Sequence, residues 1–227
     1  MTAEASADAA ADPPKEDAAP PPARWTLQVF ARAPVEGEVK TRLIPVLGAR
    51  GAAELHRRLM DETLRRACAA RDATVQLWVA GDPAHPFVQE CAGRFGIAVH
   101  RQLGADLGAR MGHAFAHALG GGAGRCILIG CDCPAQTVQD LEQAAEALRR
   151  HELVLQPARD GGYVLLGLTR PRPQLLEDVQ WGSARVTAQT LQRAAALGLA
   201  PRLLRALPDL DGPEDLLQAR AQGWIDP

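Results

Sequence analysis

Apolar runs of strand length alternate with segments of helical period along most of the chain, and this alternation leaves few architectures open. WTLQVFA, from Trp25, has the composition of a buried strand, and residues 51–71 carry Leu55, Leu59, Thr63 and Ala67 at four-residue spacing with charges between them. That second pattern is an amphipathic helix. The strand TVQLWVA, a helix over 87–95, the strand IAVHRQ and a helix over 107–119 follow, then the strand CILI from Cys126 and a helix from Thr137. Beyond these come ELVLQPA, DGGYVLLGL, a helix over 184–197, a last strand over 203–207 and a helix opened by Pro213. Strands separated by helices pair in parallel with helices on both faces of the sheet. CILI, apolar without alternation, is what a strand buried on both faces looks like.

With 227 residues the chain is long enough for one sizeable core and short for two. A formal net charge of −2 with no basic block gives no expectation of a nucleic-acid partner. Although 47% of residues are hydrophobic, no apolar run reaches bilayer-spanning length, so a soluble protein without a membrane segment is expected. Residues 1–24 are rich in Ala, Pro and acids and lack a signal peptide's apolar stretch, which predicts a disordered tail. Five cysteines, odd in number and without pattern, fit free thiols in a reducing cytoplasm.

An acid, Asp132, stands just beyond the Cys126 strand, and Thr137 with Asp140 three residues on has the spacing of a capping box. Ligands of open α/β sheets lie at the carboxyl ends of strands, so Asp132 is a candidate for contact with substrate or metal. Capping a turn is the other role its position allows. The loop after the first strand holds Arg32, Lys40 and Arg42 around Gly37. Such donors suit a phosphate, but the loop matches neither a Walker A nor a dinucleotide fingerprint, and a solvated basic loop has the same composition. In QLGADLGARMGHA, glycines flank Asp106 and Arg110 falls near a helix start that could meet an anion; an ordinary strand-to-helix connection accounts for it equally.

ARDGGYVLLG sets Asp160 before Gly161, Gly162 and the sole tyrosine, Tyr163, which permits close backbone approach to a ligand or simply a tight turn. In LPDLDGPEDL, Asp209 and Asp211 are one residue apart, so only one can face a site, and Asp211 is also placed to cap a helix. His113 and His117 share a helical face but lack a third zinc ligand. Cys131 and Cys133, with Cys126 nearby, read as small packing residues.

In this order, VFARAPVEGEVKTRL, QLGADLGARM, LIGCDCP, PARDGGYVLLGL, VQWGSARVTAQT and LPDLDGPEDL resemble the successive motifs of the bacterial arsenosugar-type glycosyltransferases. That group lies within the nucleotide-diphospho-sugar transferase superfamily, with the glycosyltransferase-A-type fold; guanylyltransferases acting on 2-phospholactate and molybdopterin are more distant cousins. The match runs over residues 26–222. It implies a single-domain α/β fold over residues 25–227, a Rossmann-like three-layer sandwich with a mixed, mostly parallel sheet. It also implies that Asp132 holds Mg²⁺ or Mn²⁺ on nucleotide phosphates, with Asp209 or Asp211 as the second acid.

By the same resemblance, Arg32, Gly37, Lys40, Thr41, Arg42, Gln102, Asp106 and Arg110 cradle the nucleotide, while Asp160, Gly161, Gly162, Tyr163 and Trp181 line the acceptor side. Asp132, Lys40 and Asp160 would carry the chemistry. The chain departs from the group's pattern at Arg32 for a common Lys, Glu36 for Pro, Cys131 for Ser or Thr, and Gly212 for Thr. The implied activity is metal-dependent transfer of a sugar from a nucleotide-sugar to a small-molecule acceptor. The same parts serve nucleotidyl transfer from a nucleoside triphosphate with release of pyrophosphate. A non-catalytic nucleotide-binding protein is the third reading, and the joint presence of Lys40, Asp132, Asp160, Asp209 and Asp211 argues against it. Apolar helix faces leave room for a homodimer.

Overall fold

The computed structural model describes residues 25–225; the predicted tail over residues 1–24 lies outside the described residues. The strands are β1 Trp25–Arg32, β2 Ala73–Ala80, β3 Ala98–Arg101, β4 Cys126–Gly130, β5 Leu153–Pro157, β6 Tyr163–Leu168 and β7 Arg202–Leu203. The helices are α1 Ile44–Ala69, α2 Pro86–Phe95, α3 Leu107–Gly120, α4 Val138–Ala147, α5 Val186–Ala196 and α6 Pro213–Ala221. All seven strands join one sheet in the order β3-β2-β1-β4-β6-β5-β7.

β1 pairs in parallel with both β2 and β4, with Val29 opposite Leu77 on one side and Ile129 on the other. β6 alone is reversed, antiparallel to β4 and to β5. The cause is local: β5 and β6 are joined by the short turn through Asp160, Gly161 and Gly162, too short for the crossover that parallel neighbours require. The sheet is therefore mixed and mostly parallel.

Side-chain alternation divides the core into two layers. Leu27, Val29, Ile127 and Ile129 pack with Met60 and Leu64 of α1, Cys91 of α2 and Leu141 of α4. Phe30, Cys126 and Leu128 face the opposite way, against Met111 and Phe115 of α3 and Ala194 of α5. Burial on both faces explains the unbroken apolar run of β4, and each such Leu or Ile contributes about 1.5–3 kcal/mol.

The helix predicted over 51–71 starts earlier, at Ile44, because Gly48 at φ 69° and ψ 166° joins a preceding helical piece to it across a kink. Of the strand predicted over 203–207 only Leu203 belongs to β7, with an isolated bridge between Ala158 and Leu207 beyond it. The capping box of α4 forms as the sequence predicts. The chain leaves β1 toward β2 on one side, whereas β4 lies on the other, so a crevice opens where the strand order reverses at the carboxyl ends of β1 and β4. Among the described residues no helix is long and apolar enough to cross a membrane.

Candidate active site

Beyond β1 the chain turns through Gly37 at φ 83° and reaches Lys40, which lies in the left-handed region at φ 46° and ψ 41°. For a residue with a Cβ this costs about 1–2 kcal/mol and persists only where the surroundings hold it. Here they do: the Lys40 side chain is 4% exposed, its ammonium donates to the Leu210 carbonyl, and it lies 2.7 Å from Asp132 Oδ1 and 3.7 Å from Asp211 Oδ1. Burial alone would lower the Lys40 pKa, but the Asp132 carboxylate outweighs it and the net shift is upward. For Asp132, burial pushes upward and Lys40 overcomes it, so the carboxyl titrates below its ordinary range. The two stand as an ion pair at the floor of the crevice, with 46% of the Asp132 side chain still open to it.

Asp211 arrives from far along the sequence on a strap pinned at several points. Arg205 makes two hydrogen bonds to the buried carboxylate of Asp140, at 2.9 and 2.7 Å. Leu207 N donates to Pro157 O, Cys133 Sγ to Pro208 O, and Leu210 N to Asp132 O at 2.8 Å. Helix α6 takes its cap from Asp215, whose carboxylate accepts from the Asp211 and Gly212 amides, rather than from Asp211. The Asp211 side chain is thereby left to face Lys40 and the exposed Arg42, whose Nη1 is 3.5 Å away.

These groups line a cavity of about 580 Å³, with Arg32, Lys40, Thr41, Arg42, Gln102, Arg110, Asp132 and Asp211 on its walls. The Gln102 amide donates to Ala31 O and Trp78 O, clamping the ends of β1 and β2. Arg110 is steadied by donating to Gly104 O at 3.2 Å. Asp106, predicted as a nucleotide contact, caps α3 by accepting from Ala109 N at 2.8 Å and is not among the lining residues. Gly37 shapes the loop without lining the cavity.

His56 was not singled out from the sequence. It lies on the buried face of α1 between Leu55 and Leu59, and a lone histidine on such a face was the available signal. Its Nε2 donates to the Arg32 carbonyl at 3.0 Å, while its Nδ1 is buried with no hydrogen-bond partner. Burial lowers its pKa against the pull of Asp132. Ligand atoms of His56, Cys131 and Asp132 all lie within 4.8 Å of one another. Burial pushes the Cys131 thiol up, and hard divalent cations such as Mg²⁺ and Mn²⁺ take oxygen ligands, so the fitting donors are carboxylates. Asp132 and Asp211 converge on one cationic position beside an open cavity, which suits an ion held by one or two carboxylates plus substrate phosphates.

A second cavity, about 200 Å³, opens beside the first and shares Phe30, Leu107 and Gly130 with it. Asp160, Gly162, Tyr163 and Trp181 line it, and the Tyr163 and Trp181 rings meet edge to face at 6.2 Å. Asp160 also closes the β5–β6 turn by accepting from Gly162 N at 2.7 Å. Gly161, at φ 94°, does not line the cavity but fixes the turn: a Cβ there would lie 2.2 Å from the Ala184 carbonyl. Asp209 is absent from the first cavity and shares a third, of about 370 Å³, with Asp160, Asp211 and Asp215. Burial first, then Asp160 and Asp211, push its pKa up to about 6.

The remaining candidates pack. His113 and His117 set ring edges on Trp78, with His100 stacked on it at 4.7 Å, and they join no three-ligand group among the described residues. Cys126, Cys131 and Cys133 are buried, and burial pushes the Cys133 thiol up to about 12.

A doubly wound sheet with a polar cavity at its switch point is shared by several nucleotide-binding α/β folds, and comparison with solved structures identifies this one as the nucleotide-diphospho-sugar transferase fold. A provisionally named nucleotide-diphospho-sugar transferase from Desulfovibrio desulfuricans G20 superposes with a TM-score of 0.80 at 28% identity, covering 87% of each chain. The 4-diphosphocytidyl-2C-methyl-D-erythritol synthase of Anaerococcus prevotii DSM 20548 gives 0.61 at 10% identity over 89% of this chain and 97% of that one. Glucosyl-3-phosphoglycerate synthase of Mycobacterium tuberculosis, solved with Mn²⁺, UDP and glucosyl-3-phosphoglycerate, gives 0.52 at 12% identity over 87% and 76%. Residues 63–183, more than half of the chain, match the family described as "Uncharacterized protein conserved in bacteria (DUF2064)", and the chain belongs to that family. No curated protein matches.

Proposed function

We propose that the protein is a metal-dependent glycosyltransferase that takes a sugar from a nucleotide-sugar donor to a small-molecule acceptor. The observation that carries this reading is the convergence of Lys40, Arg42, Arg110, Asp132 and Asp211 on one cavity at the switch point of the sheet. The likeness to the Desulfovibrio protein, whose name specifies a nucleotide-diphospho-sugar, favours this donor over a nucleoside triphosphate.

Asp132 and Asp211 would hold Mg²⁺ or Mn²⁺, which when bound supplies charge neutralisation for the nucleotide phosphates. Lys40, almost wholly buried and held by the Leu210 carbonyl and Asp132 with Asp211 nearby, presents a positive charge that needs little reorganisation as charge develops on the departing nucleoside diphosphate. Arg42 and Arg110 add cations to the same cavity. Asp160, on the acceptor side, is the base for the acceptor hydroxyl; one carboxylate oxygen is committed to Gly162 N, which orients the other.

The test is a melting-temperature panel of nucleotide-sugars and nucleoside triphosphates, with and without Mg²⁺ or Mn²⁺, on wild type and Asp132→Asn. A ligand at a hundredfold its dissociation constant stabilises by about 2.7 kcal/mol, a shift of several degrees for a domain of this size. A metal-dependent shift with a nucleotide-sugar, lost in Asp132→Asn, is expected. A shift confined to triphosphates would replace glycosyl by nucleotidyl transfer. No shift with any nucleotide would remove the transferase reading. An unchanged pH–rate profile in Asp160→Asn would remove Asp160 as the base.

A further inference from the structure

The second cavity is made of different material from the first, and the contrast bears on the acceptor. Its walls are Met111, Leu128, Leu165 and Val186 with the rings of Tyr163 and Trp181. Among the described residues no Lys, Arg or His lines it, and Asp160 is its one carboxylate. Resting on the transferase reading above, we propose that this cavity takes an uncharged apolar group about the size of a ring, so that the acceptor is an alcohol with an aromatic or aliphatic body rather than a phosphorylated compound.

Size, charge and construction agree. At about 200 Å³ the cavity exceeds the roughly 150 Å³ apolar cavity that accepts benzene in an engineered protein. A phosphate placed here would lose hydration with no cation to replace it and would face the Asp160 carboxylate. Trp181 is held in place rather than laid loosely on the surface. A Cβ at Gly108 would lie 2.3 Å from the Leu176 carbonyl and 3.0 Å from the indole ring, so the missing side chain lets this wall close against α3. Phe30, Leu107 and Gly130 belong to both cavities, so a body seated in the second can turn a hydroxyl toward the first, with Asp160 beside it.

The probe is 4-fluorobenzyl alcohol, followed by ¹⁹F NMR titration on the full chain, free and with a saturating nucleotide, with glycerol 3-phosphate as competitor. Saturable binding is expected, weakened at least tenfold in Trp181→Ala, unchanged in Arg42→Ala and indifferent to glycerol 3-phosphate. With the first cavity filled by saturating nucleotide, Ser183→Arg, which sets a cation among the lining residues, is expected to let glycerol 3-phosphate displace the alcohol, which it does not do in the wild type; this second variant decides the matter if Trp181→Ala does not fold. Absence of alcohol binding, wild-type affinity in Trp181→Ala, or displacement by glycerol 3-phosphate would overturn the proposal. Alcohol binding with these properties but no nucleotide-induced melting shift would support the cavity's apolar selectivity and overturn the transferase reading alone.

Discussion

The two cavities that meet at Phe30, Leu107 and Gly130 are built by different parts of the sheet. The larger sits at the ends of the parallel strands β1 and β4, and its central charges come from loops: Lys40 after β1, Asp132 after β4 and Asp211 from the strap before α6, with Arg110 added from α3. The smaller rests on the reversed strand β6 and its turn, and its walls are mostly apolar side chains of strands and helices, with Trp181 supplied by the loop before α5. One place is organised to hold charge and the other to exclude water. The reversal of β6 contributes to this division, because it sets the Asp160 turn and Tyr163 at the same edge of the sheet as Asp132.

The sharpest break between the two comes from Lys40→Met. Removing a preorganised cation from a site where negative charge develops lowers rates by about 10²–10³, so turnover and the nucleotide-dependent melting shift should collapse while 4-fluorobenzyl alcohol still binds. Retained nucleotide binding would show that Lys40 is a structural tie. Next in size is Gly161→Ala. Its positive φ and the Ala184 carbonyl 2.2 Å from a new Cβ should cost roughly 2–4 kcal/mol in urea unfolding. Gly37→Ala, equally left-handed but with open space around it, should cost only about 1 kcal/mol. Equal costs would mean that backbone strain, not close packing, sets the stability of the β5–β6 turn.

A smaller effect is expected at Asp209. Its carboxyl keeps its proton up to about 6 in the folded chain, against about 3.9 when unfolded. The folded state therefore binds more protons between those values, and stability falls as pH rises through that window. Asp209→Asn should be more stable than wild type by about 1 kcal/mol at pH 7.5, discounted for partial exposure, with the gap closing below pH 4. A gap that ignores pH would point to packing instead. Smallest is Arg42→Ala: the guanidinium is 71% exposed, so stability should stay within about 0.5 kcal/mol while nucleotide affinity drops about two- to fivefold. Isothermal titration at two salt concentrations checks this, since an exposed cation's share should shrink as salt rises.

What the sequence made legible was local. The apolar run of β4, the acid just beyond it and the Thr137–Asp140 box each follow from neighbours in the chain, and each forms where the pattern places it. Of the two acids a residue apart, Asp211 lies toward Lys40 and lines the first cavity while Asp209 does not, although both line the neighbouring one. Which of the two would turn inward depended on Asp215 taking over the cap of α6, a competition that spacing does not decide. Asp106 shows a similar competition, since its carboxylate caps the first turn of α3 and does not line the first cavity. The left-handed conformation of Lys40 and the part played by His56 depend on contacts between segments distant in sequence. Propensity and periodicity carry no record of these.

The bond from Lys40 to Leu210 spans 170 positions. Domains emerge from the ribosome amino end first, at about 5–20 residues per second, so β1 and its loop leave the exit tunnel many seconds before the residues that complete their charge balance. During that interval Lys40 has neither the Leu210 carbonyl nor Asp211, and the strap is not there to tie down the backbone of Asp132. A nascent chain halted before Leu210 would carry most of the sheet but neither the Leu210 carbonyl nor the Asp211 carboxylate that hold the Lys40 ammonium.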